Sequence, residues 1–174
     1  MGKNPDVALY DRVLGIAAQG GARIEPHVAG DAFAFGGATI RVLAPTRDYR
    51  PGNSPTNNDS LVLRVSHGET AALLEGDAEA PSEARMVAAG GLQSNLLKVG
   101  HHGSITSTTP AFLIAVSPRY SVISVGKRNF YRRQVLQELQ SSHIKTFLTD
   151  MTGLTSFYLD GRNVSAEPWA AAPY

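Results

Sequence analysis

From Ser60 onward, short apolar runs of strand length alternate with segments of helical spacing, and this alternation restricts the chain to an α/β architecture. Ser60-Leu61-Val62-Leu63-Arg64-Val65 and Thr70-Ala71-Ala72-Leu73-Leu74 read as two apolar strands joined around His67-Gly68. Pro81 to Ala89 is helical, with Pro81 tolerated in a first turn and Gly90-Gly91 as the stop. Asn95-Leu96-Leu97-Lys98-Val99 makes a third buried strand. A short helix at Pro110 to Val116, a strand at Tyr120 to Val125 and a helix near Arg133 to Gln140 continue the pattern. Strands at Thr146-Phe147-Leu148 and Thr155 to Leu159 end it.

Ahead of this core, Pro5 to Gln19 carries apolar side chains at Val7, Leu9, Val13, Leu14 and Ala17, a helical spacing that Gly20-Gly21 terminates. Arg23-Ile24-Glu25, Ala32-Phe33-Ala34-Phe35 and Thr39 to Leu43 then read as a β-meander, with Gly36-Gly37 as a hairpin turn. Ala44 to Asn58 turns to Pro, Arg, Asn, Gly and Thr and reads as a long surface loop.

At 174 residues and 43% hydrophobic content, the chain is expected to be one domain able to bury its own core. Sixteen Lys and Arg against fifteen Asp and Glu leave no global field that would select nucleic acid or cationic partners. The chain has no Cys, so disulfides, thiolate nucleophiles and Cys-based zinc sites are excluded, and any metal must be held by His and carboxylate. No apolar stretch approaches the roughly 20 residues of a membrane span, and the expectation is a soluble chain with a flexible tail from Pro168 to Tyr174. Neither glycine pair has the spacing of a phosphate-binding loop.

Three predicted strands end in polar clusters: Asp77, then His101-His102-Gly103-Ser104, then Gly126 to Asn129. Strand ends are where α/β sheets assemble their sites. A carboxylate at a rigid strand tip can bridge two cations about 3.5 to 4 Å apart. Asp77 is therefore either a ligand or a turn and N-cap residue before the next helix. In extended chain, neighbouring side chains point opposite ways, so His101 is favoured as a ligand, with His102 or Ser104 orienting it or the substrate. The other reading is a solvated histidine pair. Lys127, Arg128, Asn129, Phe130, Tyr131, Arg132 and Arg133 interleave cations with aromatics, either as a nucleic-acid contact or as a solvated helix start. Asn57-Asn58-Asp59 either ligates or caps a turn. His27, His67 and His143 stand singly and receive no role.

Leu73-Leu74-Glu75-Gly76-Asp77-Ala78-Glu79, Leu96-Leu97-Lys98-Val99-Gly100-His101-His102-Gly103-Ser104 and Ile123-Ser124-Val125-Gly126 together resemble the metallo-β-lactamase-fold domain of ComEC-type competence proteins. The resemblance runs from about Gly30 to Gly153. It implies an αββα sandwich with mixed sheets, zinc or manganese as cofactor, DNA as substrate, and a parent protein on the periplasmic side of the inner membrane. It also implies that Asp77 bridges metals and that His101 is a terminal ligand.

The chain departs from the family pattern in two places. The family's His-x-Asp-x-Asp-His motif occurs nowhere in this chain, and Tyr131 runs into Arg132 where the family commonly has Gly-His-Pro. The expected protein is thus a partial sandwich and an incomplete metal-dependent nuclease-like hydrolase, weakly active or inactive alone. The alternatives are a non-catalytic module binding nucleic acid or a partner, and a small-molecule hydrolase of the same fold. An open sheet edge and apolar face are further expected to favour a homodimer or strand-exchanged oligomer.

Overall fold

The computed structural model describes residues 7–52, 54, 56–126 and 133–169. Among these residues the chain forms a mixed α/β arrangement of five α-helices and nine strands. Helix α1 (Val7–Gln19) leads into β1 (Ala32–Phe35), β2 (Ala38–Ala44), β3 (Val62–His67) and β4 (Thr70–Leu74). Then come α2 (Ala80–Ala89), β5 (Leu96–Lys98), α3 (Pro110–Val116), β6 (Tyr120–Ile123), α4 (Arg133–Ser141) and β7 (Lys145–Leu148). A single turn of helix, α5 (Thr149–Thr152), precedes the hairpin of β8 (Thr155–Leu159) and β9 (Val164–Pro168).

Strands β1 to β7 form one sheet in chain order. The first four pair antiparallel, β1 with β2 and β3 with β4 through tight turns and β2 with β3 across the long loop 45–61, and β4 to β7 pair parallel. Parallel neighbours need crossovers, and crossovers of one hand along a sheet built in one direction put their helices on one face. Helices α2, α3 and α4 accordingly pack together with Leu73, Leu97, Ile123 and Leu148 in the larger core. Strand alternation sends Ala72, Leu96, Tyr120 and Phe147 to the opposite face, where they meet Phe157, Leu159 and Val164 of the β8–β9 hairpin.

Several expectations are corrected. Arg23-Ile24-Glu25 is not a strand. One β-branched residue between two charges cannot bury a face, and among the described residues the first strand begins at Ala32. Helix α5 and strand β9 went unforeseen, and β9 pairs Pro168 with Thr155, so the expected tail begins inside a hairpin. Ala170 to Tyr174 and Lys127 to Arg132 lie outside the described residues.

Candidate functional site

The C-terminal ends of β4, β5 and β6 lie side by side, and their loops build the candidate site. After β4 the chain turns at Gly76, whose φ of +64° suits glycine and whose Cα faces Ser60 and the Leu61 carbonyl so closely that a Cβ would stand 3.1 Å from Ser60 Cβ. Ser60 Oγ accepts the Asp77 backbone N–H at 3.1 Å. The Gly76 carbonyl accepts both the His101 N–H at 3.0 Å and the Lys98 ammonium at 3.2 Å. One peptide unit therefore ties the aspartate turn to the histidine loop. Burial lowers the Lys98 pKa, while the charges of Asp77 and Glu75 pull it upward.

After β5 the chain folds into a tight turn, Gly100–Gly103, in which His101 and His102 both have left-handed backbone, φ 42° and 55°. The two histidines are therefore not in the extended chain from which their opposite directions were expected. Each directs Nδ1 at protein oxygen. His102 Nδ1 lies 2.7 Å from the Ser124 carbonyl, at the end of β6; a carbonyl only accepts, so Nδ1–H donates and Nε2 is the ring nitrogen left for another partner. That Nε2 stands 3.9 Å from Asp77 Oδ1. His101 Nδ1 is 3.4 Å from Glu79 Oε1, 3.3 Å from the Asn57 amide and 3.4 Å from Thr106 Oγ1. Asn57 and Thr106 both donate to Glu79 Oε1, at 3.1 and 2.8 Å. These two hydrogen bonds come first in holding the Glu79 pKa below its ordinary value, so Glu79 stays anionic at neutral pH.

Beneath this surface lies a pair of fully buried acids, Glu75 and Glu83. Glu83 accepts the backbone N–H groups of Thr108 and of Thr109, the latter at 2.8 Å. Glu75 Oε2 accepts the Thr108 hydroxyl at 3.3 Å, and Glu75 Oε1 has no hydrogen-bond partner. Burial, followed by the neighbouring Glu83 carboxyl, pushes the Glu75 pKa well above its ordinary value and so favours the neutral acid. Gly100 sits directly on it: a Cβ there would come within 2.5 Å of the Glu75 carboxyl.

Two donors bound to one zinc at about 2.0 to 2.2 Å lie within roughly 4 Å of each other, a condition that Asp77 Oδ1 and His102 Nε2 meet. A stable centre needs more donors than two. Among the described residues no group of three His, Asp or Glu side chains is placed to hold a metal ion. The described residues therefore do not make a complete shell for zinc or manganese.

No family model matches the chain. Over 156 residues, 87% of its length, it is 33% identical to ComE operon protein 3 of Bacillus subtilis. Over 146 residues, 81% of its length, it is 37% identical to competence protein ComA of Neisseria gonorrhoeae. It is also 36% identical over 101 residues, 58% of its length, to recombination protein 2 of Haemophilus influenzae. The chain is a homologue of a segment of the ComEC-type competence proteins. It spans about a fifth of the first two relatives, 20% and 21%, and 12% of the third.

In this ComEC-type segment the structure brings Asp77 and His102 together and places His101 against Glu79, which shifts attention from the first histidine to the second. Ser104 Oγ bonds Thr106 Oγ1 at 2.9 Å, and Thr106 in turn donates to Glu79. Asn58 Oδ1 accepts the Glu79 N–H at 3.1 Å. Asp59 caps its own turn, accepting the Thr56 N–H at 2.7 Å and the Tyr49 hydroxyl at 3.0 Å. Arg133 is exposed at the start of α4, and Lys127, Arg128, Asn129, Tyr131 and Arg132 lie outside the described residues. Sequence reasoning gave no role to Glu79, Lys98, Glu75 or Glu83. A charged Lys98 inside an apolar strand run was the one signal that could have found part of this set.

Proposed function

We propose that the chain supplies one half of a phosphodiester-hydrolysing site that acts on DNA during uptake, within a metallo-β-lactamase-like fold. The observation that carries this reading is the facing pair of Asp77 Oδ1 and His102 Nε2, 3.9 Å apart, with the imidazole oriented by the Ser124 carbonyl. An imidazole whose Nδ1–H is pinned to an oxygen is how metal-binding histidines are held. Homology to competence proteins supports DNA as the polymer handled. In this reading zinc or manganese is the cofactor of the whole site, and its remaining donors come from outside the described residues. The chain's own residues orient: Glu79 fixes His101, Ser124 fixes His102, and the Gly76 carbonyl locks the two loops in register. The parent protein would present the site on the periplasmic side of the inner membrane; among the described residues no helix is long and apolar enough to cross a membrane.

The test measures binding of Mn²⁺ and Zn²⁺ to the chain by calorimetry, alongside cleavage of labelled oligonucleotides. The expected result is weak metal binding that Asp77→Ala and His102→Ala each abolish, with DNA bound at low salt and cleaved slowly or not at all. Robust metal-dependent hydrolysis by these 174 residues alone, lost in Asp77→Ala, would overturn the half-site reading. No DNA binding at low salt would overturn the DNA reading.

The lack of a third donor among the described residues favours one second reading, a non-catalytic module that grips nucleic acid through Lys127 to Arg133. Salt-dependent DNA binding that Asp77→Ala leaves untouched would select it.

A further inference from the structure

Beside the candidate site lies a cavity of about 220 Å³, well below the roughly 300 to 1,000 Å³ of drug-sized pockets but ample for one planar ring. Leu43, Ala44 and Met86 give it an apolar floor, and Tyr49, Asn58 and Arg85 add an aromatic ring, an amide and a cation. It shares two walls with the histidine site. Asn57 and Asn58 are successive residues of one turn: Asn57 faces His101 and Glu79, and Asn58 lines the cavity while accepting the Glu79 N–H. Pro81 and Ser82, just after Glu79, line it from the start of α2.

We propose that this cavity receives one unstacked nucleobase of a single-stranded nucleic acid whose backbone continues across the His101–His102 loop. The proposal rests on the reading that the chain handles DNA, and three observations argue for a base over an aliphatic occupant. The Tyr49 ring is held in place, since its hydroxyl donates to Asp59 Oδ1 at 3.0 Å and Asp59 is itself fixed by the Thr56 N–H. A fixed ring is a stacking platform that costs little entropy to use. Asn58 has its Oδ1 committed to Glu79, so its NH₂ end is the one left to meet the acceptors on a base edge. Arg85, which lines the cavity, donates to Thr46 Oγ1 at 3.3 Å and supplies a guanidinium at the rim. Arginine at that position suits the phosphate attached to a bound base.

The experiment titrates the full chain, by fluorescence anisotropy at fixed low salt, with a labelled twelve-nucleotide oligothymidylate and with an abasic strand of equal length and charge. The base-bearing strand should bind roughly tenfold more tightly, the scale of losing one base-stacking contact. Tyr49→Ala should erase that difference and leave abasic affinity unchanged. Tyr49→Phe, which keeps the ring, should retain most of it, and Ser82→Phe, which fills the cavity from α2, should erase it again if Tyr49→Ala proves unstable. Equal affinity for the two strands, or equal weakening of both by Ser82→Phe, would overturn the base site while leaving the DNA reading intact. Binding of neither strand would overturn both. An apolar dye that enters the cavity and that the oligothymidylate fails to displace would mark a slot for a protein side chain, and would also overturn the proposal.

Discussion

The two faces of the seven-stranded sheet are built to different depths. On the helical face Leu73, Leu97, Phe112 and Ile123 have no accessible surface at all. On the hairpin face Ala72, Leu96, Tyr120 and Phe147 retain between 5% and 9% of theirs, under a lid of only two strands. Tyr120, Phe147 and Phe157 form an aromatic cluster there, with ring centroids 5.4 to 6.3 Å apart. The candidate site sits over the deep face: Glu75 and Glu83, which brace its loops, are buried beside the helices, and Thr109 caps α3 as it binds Glu83. The candidate site is thus braced where the packing is tightest, and the hairpin covers the sheet's reverse side.

That contrast can be broken by measurement. The largest effect is expected from Phe112→Ala, which should cost about 3 to 5 kcal/mol in urea denaturation because the cavity it leaves is fully enclosed. Gly100→Ala should cost about 1 to 3 kcal/mol, since its methyl must displace the Glu75 carboxyl beneath the histidine loop. Loss of the hydrogen bond from the residue 100 N–H to Thr108 Oγ1 should appear as faster amide exchange at that position in the variant than in the parent chain.

Glu75 makes the deep face sensitive to pH. Its folded pKa is raised above the ordinary value by burial first and by Glu83 second, with Thr108 and Lys98 the other polar neighbours. A group raised in this way stabilises fully below its unfolded pKa and loses that contribution as pH climbs through the folded value. Stability should therefore decline as pH rises from the ordinary glutamate value of 4.5 towards the raised folded value, and Glu75→Gln should flatten the decline in denaturation midpoints measured across pH. An unchanged profile would show that the pKa is not raised.

On the shallow face, Phe157→Ala should cost about 1 to 2 kcal/mol, reflecting partial burial and its two edge-on ring contacts. A loss as large as that of Phe112→Ala would erase the distinction between faces. The smallest effect concerns the outside of the molecule, where Val13 and Ile16 of α1 and Phe35 of β1 are more than half exposed. Light scattering should detect a dimer or strand-exchanged oligomer at high concentration, weakened by Ile16→Asp without loss of fold; a clean monomer would remove the idea.

The sequence made the order of elements legible because strand and helix periods alternate cleanly from Ser60 to Leu148. It concealed α5, a single turn that Gly153 stops before any period can register. It also concealed β9, whose Val164-Ser165-Ala166-Glu167-Pro168 offers only one large apolar side chain, because a strand of a two-stranded hairpin needs to bury so little. At the site, Asp77 and the histidine pair could be singled out, but not the partner of each. His101 and His102 adopt left-handed backbone through bonds to Gly76 and Ser124, which lie 25 and 22 residues away and which no local pattern announces. Glu75 and Glu83 were hidden for another reason: a charged letter reads as surface, and only the assembled core shows both acids fully buried and one of them held by backbone amides.

The shared carbonyl of Gly76 has one more implication. A short peptide copied from Lys98 to Thr109 would carry both imidazoles yet lack the oxygens that aim them, because those belong to Glu79, Ser124 and Gly76 on neighbouring elements. The orientation of the two imidazoles therefore depends on the fold as a whole, and a denaturant that separates the sheet ends would release both rings from the oxygens that hold them.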